Sequence, residues 1–176
     1  LTKCFQQVQS IANARGYNQP VDVHLSMSVA GGTGAGSFLT IALLVDQLKE
    51  SLGPMNLYGY AVLHGVFRAM DTMGNKTPRV ITNSYSAIMD LDYLLHASDD
   101  NPVEVMLGFE RRRLTSPIFK EFYVIDNVTT THKVVEKCQQ LCEVLGTCLY
   151  VSGNEIGNDK DSAASNVGWR EGGFNV

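Results

Sequence analysis

The sequence predicts an α/β fold: a mainly parallel sheet with helices on both faces. Three observations carry this. Helix-like and strand-like segments alternate along the chain. A chain of 176 residues, 44% hydrophobic and 18% charged, is long and apolar enough to bury one domain core without metal or disulfide staples. A glycine-rich run joins the first strand to the next helix, at the carboxyl end of a strand, where ligands of parallel sheets bind.

Residues 2–14 read as a helix, with Phe5, Val8, Ile11 and Ala12 at helical spacing and Gly16 as the stop. Residues 21–29 alternate, with Val21, Val23, Leu25, Met27 and Val29 against Asp22, His24, Ser26 and Ser28, and read as a strand. Gly31 to Ser37 read as a turn. An apolar helix follows over 38–52, ended by Gly53-Pro54. Residues 56–64 read as a second strand.

A loop with Gly74, Asn75 and Pro78 precedes a helix over 80–97, with Ile81, Tyr85, Ile88, Leu91 and Leu95 on one stripe. Strands over 103–109 and 119–126 flank a turn around Arg111 to Pro117, which suggests a hairpin. A helix covers 131–148. The tail from Ser152 is rich in Gly, Asn, Ser and Asp and reads as loop.

A net charge of -4 argues against a general binder of nucleic acid or anionic membranes. No apolar stretch reaches the eighteen or so residues of a spanning helix. The chain starts Leu-Thr-Lys-Cys, with neither an initiator Met nor a signal-peptide pattern, and reads as an internal piece. Cys138, Cys142 and Cys148 share one predicted helix, which suits a reducing, cytoplasmic setting better than a disulfide framework. Cys138 and Cys142 stand four apart; with no second pair nearby, buried packing is the favoured reading. The four His are scattered and read as surface or capping residues, with His64 nearest the predicted ligand edge.

Ala30-Gly-Gly-Thr-Gly-Ala-Gly-Ser37 is the most informative segment. Its glycines permit positive φ and a close approach to a ligand. The free N–H groups and dipole of the following helix form an anion site, to which Thr33 and Ser37 add hydroxyls. The expectation is a phosphate cradle. No Lys completes a P-loop. A G-x-G-x-x-G fingerprint fits only if Ser37 takes the last place, and no acidic residue follows about twenty residues on.

Gly31-Gly-Thr-Gly-Ala-Gly36 resembles the tubulin/FtsZ signature G-G-T-G-[ST]-G, with Ala30 where that family usually has Gly and Ala35 where it has Ser or Thr. Tyr123-Val-Ile-Asp-Asn127 resembles the segment whose Asn reads the guanine base, a task that suits an amide. Asn83-Ser-Tyr-Ser-Ala87 resembles the start of the ribose-side helix, with Asn83 on the acidic ribose contact. Gly65-Val-Phe67 and Leu91-Asp-Tyr93 look closest to the bacterial tubulin-like branch. The likeness runs over about residues 20–148.

The resemblance implies the central part of a nucleotide domain over 1–150 and a loop-rich tail over 151–176. It implies GTP or GDP with Mg²⁺, held by Gly31, Gly32, Thr33, Gly34, Ala35, Gly36 and Ser37, with Asn83 at the ribose and Asn127 at the base. It also implies head-to-tail self-association, with GTP hydrolysed between subunits by in-line attack of water. The acidic loop that activates that water has no counterpart here, so this chain alone is expected to be inactive. Two alternatives stand beside this reading: a non-catalytic tubulin-like scaffold, and a Rossmann-type dinucleotide enzyme. Arg111–Arg113 reads as a solvated loop or a contact for an acidic partner.

Overall fold

The computed structural model describes residues 2–16, 20–68, 77–128, 134, 135 and 137–153. Three parallel strands form the main sheet in the order β1 (Val21–Ser28), β2 (Met55–Val62), β5 (Glu121–Ile125). The register runs from Val21↔Met55 to Ser28↔Val62 and from Tyr58↔Glu121 to Val62↔Ile125. α2 (Gly32–Leu52) makes the crossover from β1 to β2.

The central strand shows why both faces are covered. Its side chains alternate between two cores. Leu57 and Ala61 join Phe38, Ala42 and Val45 of α2 and Ala87, Leu91 and Leu94 of α4 (Thr77–Leu95). Tyr58, Tyr60 and Val62 join Ile125 and Leu141, against which Leu145 and Leu149 of α5 (Cys138–Gly153) pack. Burying each large apolar side chain contributes about 1.5–3 kcal/mol. Gly59, in the middle of β2, leaves room for aromatic packing: a Cβ there would lie 2.3 Å from Phe122 and 2.8 Å from Phe119. Those rings pack edge to face at 4.8 Å, and Phe38 stacks on Phe119 at 5.9 Å.

The remaining helices are lighter. α1 (Thr2–Ala14) buries no residue fully and rests on the first core through Phe5. α3 (Gly65–Arg68) is a single turn after β2 that the sequence patterns did not suggest. No described helix is long and apolar enough to cross a membrane.

Several elements depart from expectation. The hairpin is made by β3 (Val103–Leu107) and β4 (Glu110–Leu114), paired from Val103↔Leu114 to Leu107↔Glu110, so the arginine run is a strand rather than a turn. Gly108, at φ +64°, supplies the left-handed residue that a two-residue turn needs. Arg111 and Arg113 are exposed while Arg112 is half-buried, so alternation lets a charged run lie in a strand. β5 instead joins the main sheet beside β2, led in by the Lys120 N–H donating to the Leu57 carbonyl at 2.8 Å.

α4 keeps Ile88, Leu91 and Leu95 of the expected stripe against the core but turns its first half differently. Val80, Ser84, Ala87, Leu91 and Leu94 are buried, whereas Ile81 and Tyr85 are exposed. Both stripes have helical spacing, but the small Ser84 and Ala87 let α4 sit close to α2. α5 begins at Cys138 and runs to Gly153, so residues 151–153 are helical rather than tail. Residues 131–133, the rest of the tail and Trp169 lie outside the described residues. Cys142 is exposed, contrary to the packing expectation.

Candidate functional site

Beyond the strands, the sheet continues through the Val29 N–H to the Val62 carbonyl at 3.0 Å and the Leu63 N–H to the Ile125 carbonyl at 2.8 Å. This carboxyl edge carries three segments: Ala30–Ser37 after β1, His64–Gly65 after β2, and Asp126–Asn127 after β5.

The glycine segment is the first turn of α2 rather than a loop before it. Gly31 is the N-cap, at φ -84° and ψ 152°, with no side chain capping the helix. The helical ladder starts with the Ala35 N–H donating to the Gly31 carbonyl at 2.9 Å. The amides of Gly32, Thr33 and Gly34 come before that bond and head the helix, and the first turn holds no acidic side chain. None of these glycines has positive φ, so backbone strain is not their reason.

Space is the reason, and it differs by position. A Cβ on Gly34 would lie 1.7 Å from the Ser28 carbonyl oxygen, so Gly34 lets α2 start against the end of β1. A Cβ on Gly31, Gly32 or Gly36 would meet nothing within 4 Å. Gly32 and Gly36 share a helix face, and a side chain at 36 would lean over the helix start. Gly31, Gly32, Thr33 and Gly36 are exposed, while Ala35 packs against the core. A bare, uncapped helix end thus faces open space, an arrangement suited to an anion.

Two expected contacts are engaged inside the chain. The Ser37 hydroxyl donates to the Thr33 carbonyl at 2.6 Å, a bond back along the helix. The Asn83 amide donates to the Ala30 carbonyl at 3.0 Å, which ties α4 to the turn before the cradle.

At the other end of the edge, the Asn127 N–H donates to Asp126 Oδ1 at 2.8 Å and its carbonyl accepts from the Val135 N–H at 2.6 Å. These bonds fix the backbone, and the side-chain amide of Asn127 has no hydrogen-bond partner among the described residues. A Cβ on Gly65 would lie 2.0 Å from Asp126 Oδ1 and 2.3 Å from Asn127 Oδ1. Glycine at 65 therefore lets β2 and β5 end side by side.

His64 carries a signal that sequence reasoning only touched: its Nδ1 is buried and unpartnered among the described residues, as is the Ser84 hydroxyl. An unmet buried polar atom costs about 1–3 kcal/mol. His24 lies elsewhere, inside the α5 face, stacked on Tyr58 at 4.9 Å with Nδ1 2.9 Å from the Tyr60 hydroxyl, so it is not a surface residue. No group of three or more His, Cys, Asp or Glu among the described residues is placed to hold a metal ion. A groove lined by Thr2, Leu44, Leu48 and Ser51 lies toward the far end of α2, away from this edge.

A parallel sheet with helices on both faces, and a glycine-started helix at its carboxyl edge, defines an α/β protein of the Rossmann-like kind. A family model described as tubulin-like matches residues 2–168, and the chain belongs to that family. The chain matches no curated protein and no solved structure.

Proposed function

We propose that this chain is the nucleotide-binding part of a tubulin-like GTPase, with a guanine nucleotide lying across the carboxyl edge. The observation that carries this reading is the start of α2: an uncapped helix end with three glycines opening onto free space. The residues fit a phosphate group there, through the Gly32, Thr33 and Gly34 amides and the exposed Thr33 hydroxyl. Mg²⁺, when bound, would offset the charge of the phosphates.

The register supports the placement of the rest. Continued two residues beyond Ser28↔Val62 and Val62↔Ile125, it brings Ala30, His64 and Asn127 level across the edge. Two strand spacings make that row about 10 Å wide. Phosphates at the first position and a base at the third fit one nucleotide, with His64 beneath its middle. The side-chain amide of Asn127, without a hydrogen-bond partner among the described residues, can donate to and accept from a guanine edge. Asn83 serves the site by holding Ala30, whatever else it meets.

Hydrolysis would fall at the contact between subunits in the complete protein; among the described residues the first turn of α2 carries no acid. The chain's own residues bind and orient. The central part of the nucleotide domain would run from residue 1 to the end of α5 at Gly153, with the tail after it. The non-catalytic scaffold reading draws on the same features, since the Ser37 hydroxyl and the Asn83 amide are engaged within the chain.

Calorimetric titration of GTP with Mg²⁺ into the complete gene product tests the proposal, with ATP and NAD as competitors. GTP binding that Gly36→Ala weakens about tenfold supports it, a loss of about 1.4 kcal/mol. Binding without turnover at high protein concentration favours the scaffold. Preference for NAD, or no binding by folded protein, overturns the nucleotide assignment.

A further inference from the structure

The outer face of α4 and the outer face of the β3–β4 hairpin both carry exposed apolar side chains, and they are complementary. On α4, Tyr85, Met89 and Tyr93 follow one another at four-residue spacing and are 66%, 50% and 57% exposed. Asp90 and the half-buried Asp92 flank that stripe, Asp92 with His96 Nδ1 at 3.5 Å, and Asp99 and Asp100 stand exposed in the turn after it. Met and aromatic side chains set in carboxylates form a surface for a cationic, apolar partner.

The hairpin presents such a partner. Strand alternation sends Val103, Val105, Leu107 and Leu114 toward the core and leaves Met106, Arg111 and Arg113 outside. Phe109 at the tip is fully exposed and Met106 is 60% exposed. Glu104 is the one acid on this outer face; it pairs with Arg111 at 3.2 Å and stands opposite Arg113 in the register. One cation remains in excess, in a chain whose net charge is -4. The hairpin is also held rigidly: Arg112 reaches α2, bonding Glu50 at 2.9 Å and the Leu43 carbonyl at 3.3 Å. Its outer face is thus presented with little loss of freedom on binding.

Among the described residues no ion pair or ring contact joins these two faces within the chain. We propose that they meet between two copies of this chain, the hairpin of one lying on α4 of the next. Arg111 and Arg113 would sit over Tyr85 and Tyr93 beside Asp90 and Asp92, and Met106 and Phe109 would cover Met89. The contact uses neither the glycine cradle nor Asn127. It is therefore a nucleotide-independent association, separate from any head-to-tail contact through the nucleotide, and it stands or falls apart from the proposal above.

Sedimentation velocity on the complete protein, in EDTA without nucleotide and at up to about 100 μM, tests it. Concentration-dependent association is expected. Arg111→Glu with Arg113→Glu raises its dissociation constant at least about tenfold, and so does Asp90→Lys with Asp92→Lys, because each leaves like charges facing. Mixing the two charge-reversed proteins restores association between them, which also shows that both are folded. A wild-type protein that stays monomeric, association that ignores both reversals, or a mixture that fails to recover would each overturn the proposal.

Discussion

The two ends of α2 are built in opposite ways. Its carboxyl end is filled. Gly53, at φ +101°, donates its N–H to the Lys49 carbonyl at 3.1 Å. Lys49 pairs with Asp46 at 3.0 Å, with its positive charge at the favourable end of the helix dipole. Arg112 crosses from the hairpin to Asp46 and Glu50. The amino end has no capping side chain, no acid and three glycines facing empty space. One helix thus spends its side chains on stability at one end and withholds them at the other. The lesson is that an end left unsatisfied in a well-packed helix marks where a ligand is expected.

The comparison breaks first at Gly34. Gly34→Ala places a methyl on the Ser28 carbonyl oxygen, so the helix start must leave the strand. A loss of about 3 kcal/mol is expected in urea unfolding; a variant as stable as wild type would show that α2 does not start there. At the filled end, Arg112→Ala frees the hairpin and leaves Glu50 without its cation, while Asp46 keeps Lys49. Stability should fall by about 1–2 kcal/mol, and the deficit should shrink at high salt, with GTP affinity unchanged.

Gly36→Ala sharpens the contrast because its two effects differ in sign. A helix-interior alanine raises stability by about 0.5–1 kcal/mol, while the same methyl lowers GTP affinity about tenfold. A melt and a titration on one sample decide it, and a fall in both would mean that Gly36 serves packing. Asn83→Ala removes the tie to Ala30, with an expected cost of about 1 kcal/mol and faster hydrogen exchange at the turn.

The smallest effect concerns Cys148, whose thiol burial pushes up from its ordinary value. A raised pKa in the fold favours the neutral thiol. The stability it contributes is complete below the unfolded-state value and is lost as pH rises through the folded one. Stability should therefore decline slightly above about pH 9. At pH 8 the exposed Cys142 should react with a thiol reagent before Cys148, and the reverse order would contradict the placement of α5.

The parallel sheet was legible because β1 and β2 announce themselves locally, by alternation in one and an apolar run in the other. The junction between β1 and α2 was legible because the glycine cluster interrupts the apolar pattern on either side. The helix start was misplaced by several residues because helix propensity argues against glycine, and here tertiary contact at Gly34 overrides it. The hairpin was misread for a related reason. Three arginines suggest solvent, yet Arg112 finds two carboxylates on α2, a contact across more than sixty residues of sequence. On α4 the expected stripe held from Ile88 onward, and packing against α2 replaced Ile81 and Tyr85 with Val80 and Ser84. The row across the carboxyl edge depends on strand order, which no local pattern contains.

The crowding at Gly65 has a kinematic consequence. The side-chain oxygens of Asp126 and Asn127 occupy the place where a methyl would stand, so the two segments behave like meshed gear teeth. Gly65 opens α3, and α3 touches α5 on the far side of the sheet. A displacement of Asn127 toward Gly65 would therefore press on the start of α3, which rests on α5. The end of the edge assigned to a base thus lies one short helix away from α5, on the sheet face opposite α2.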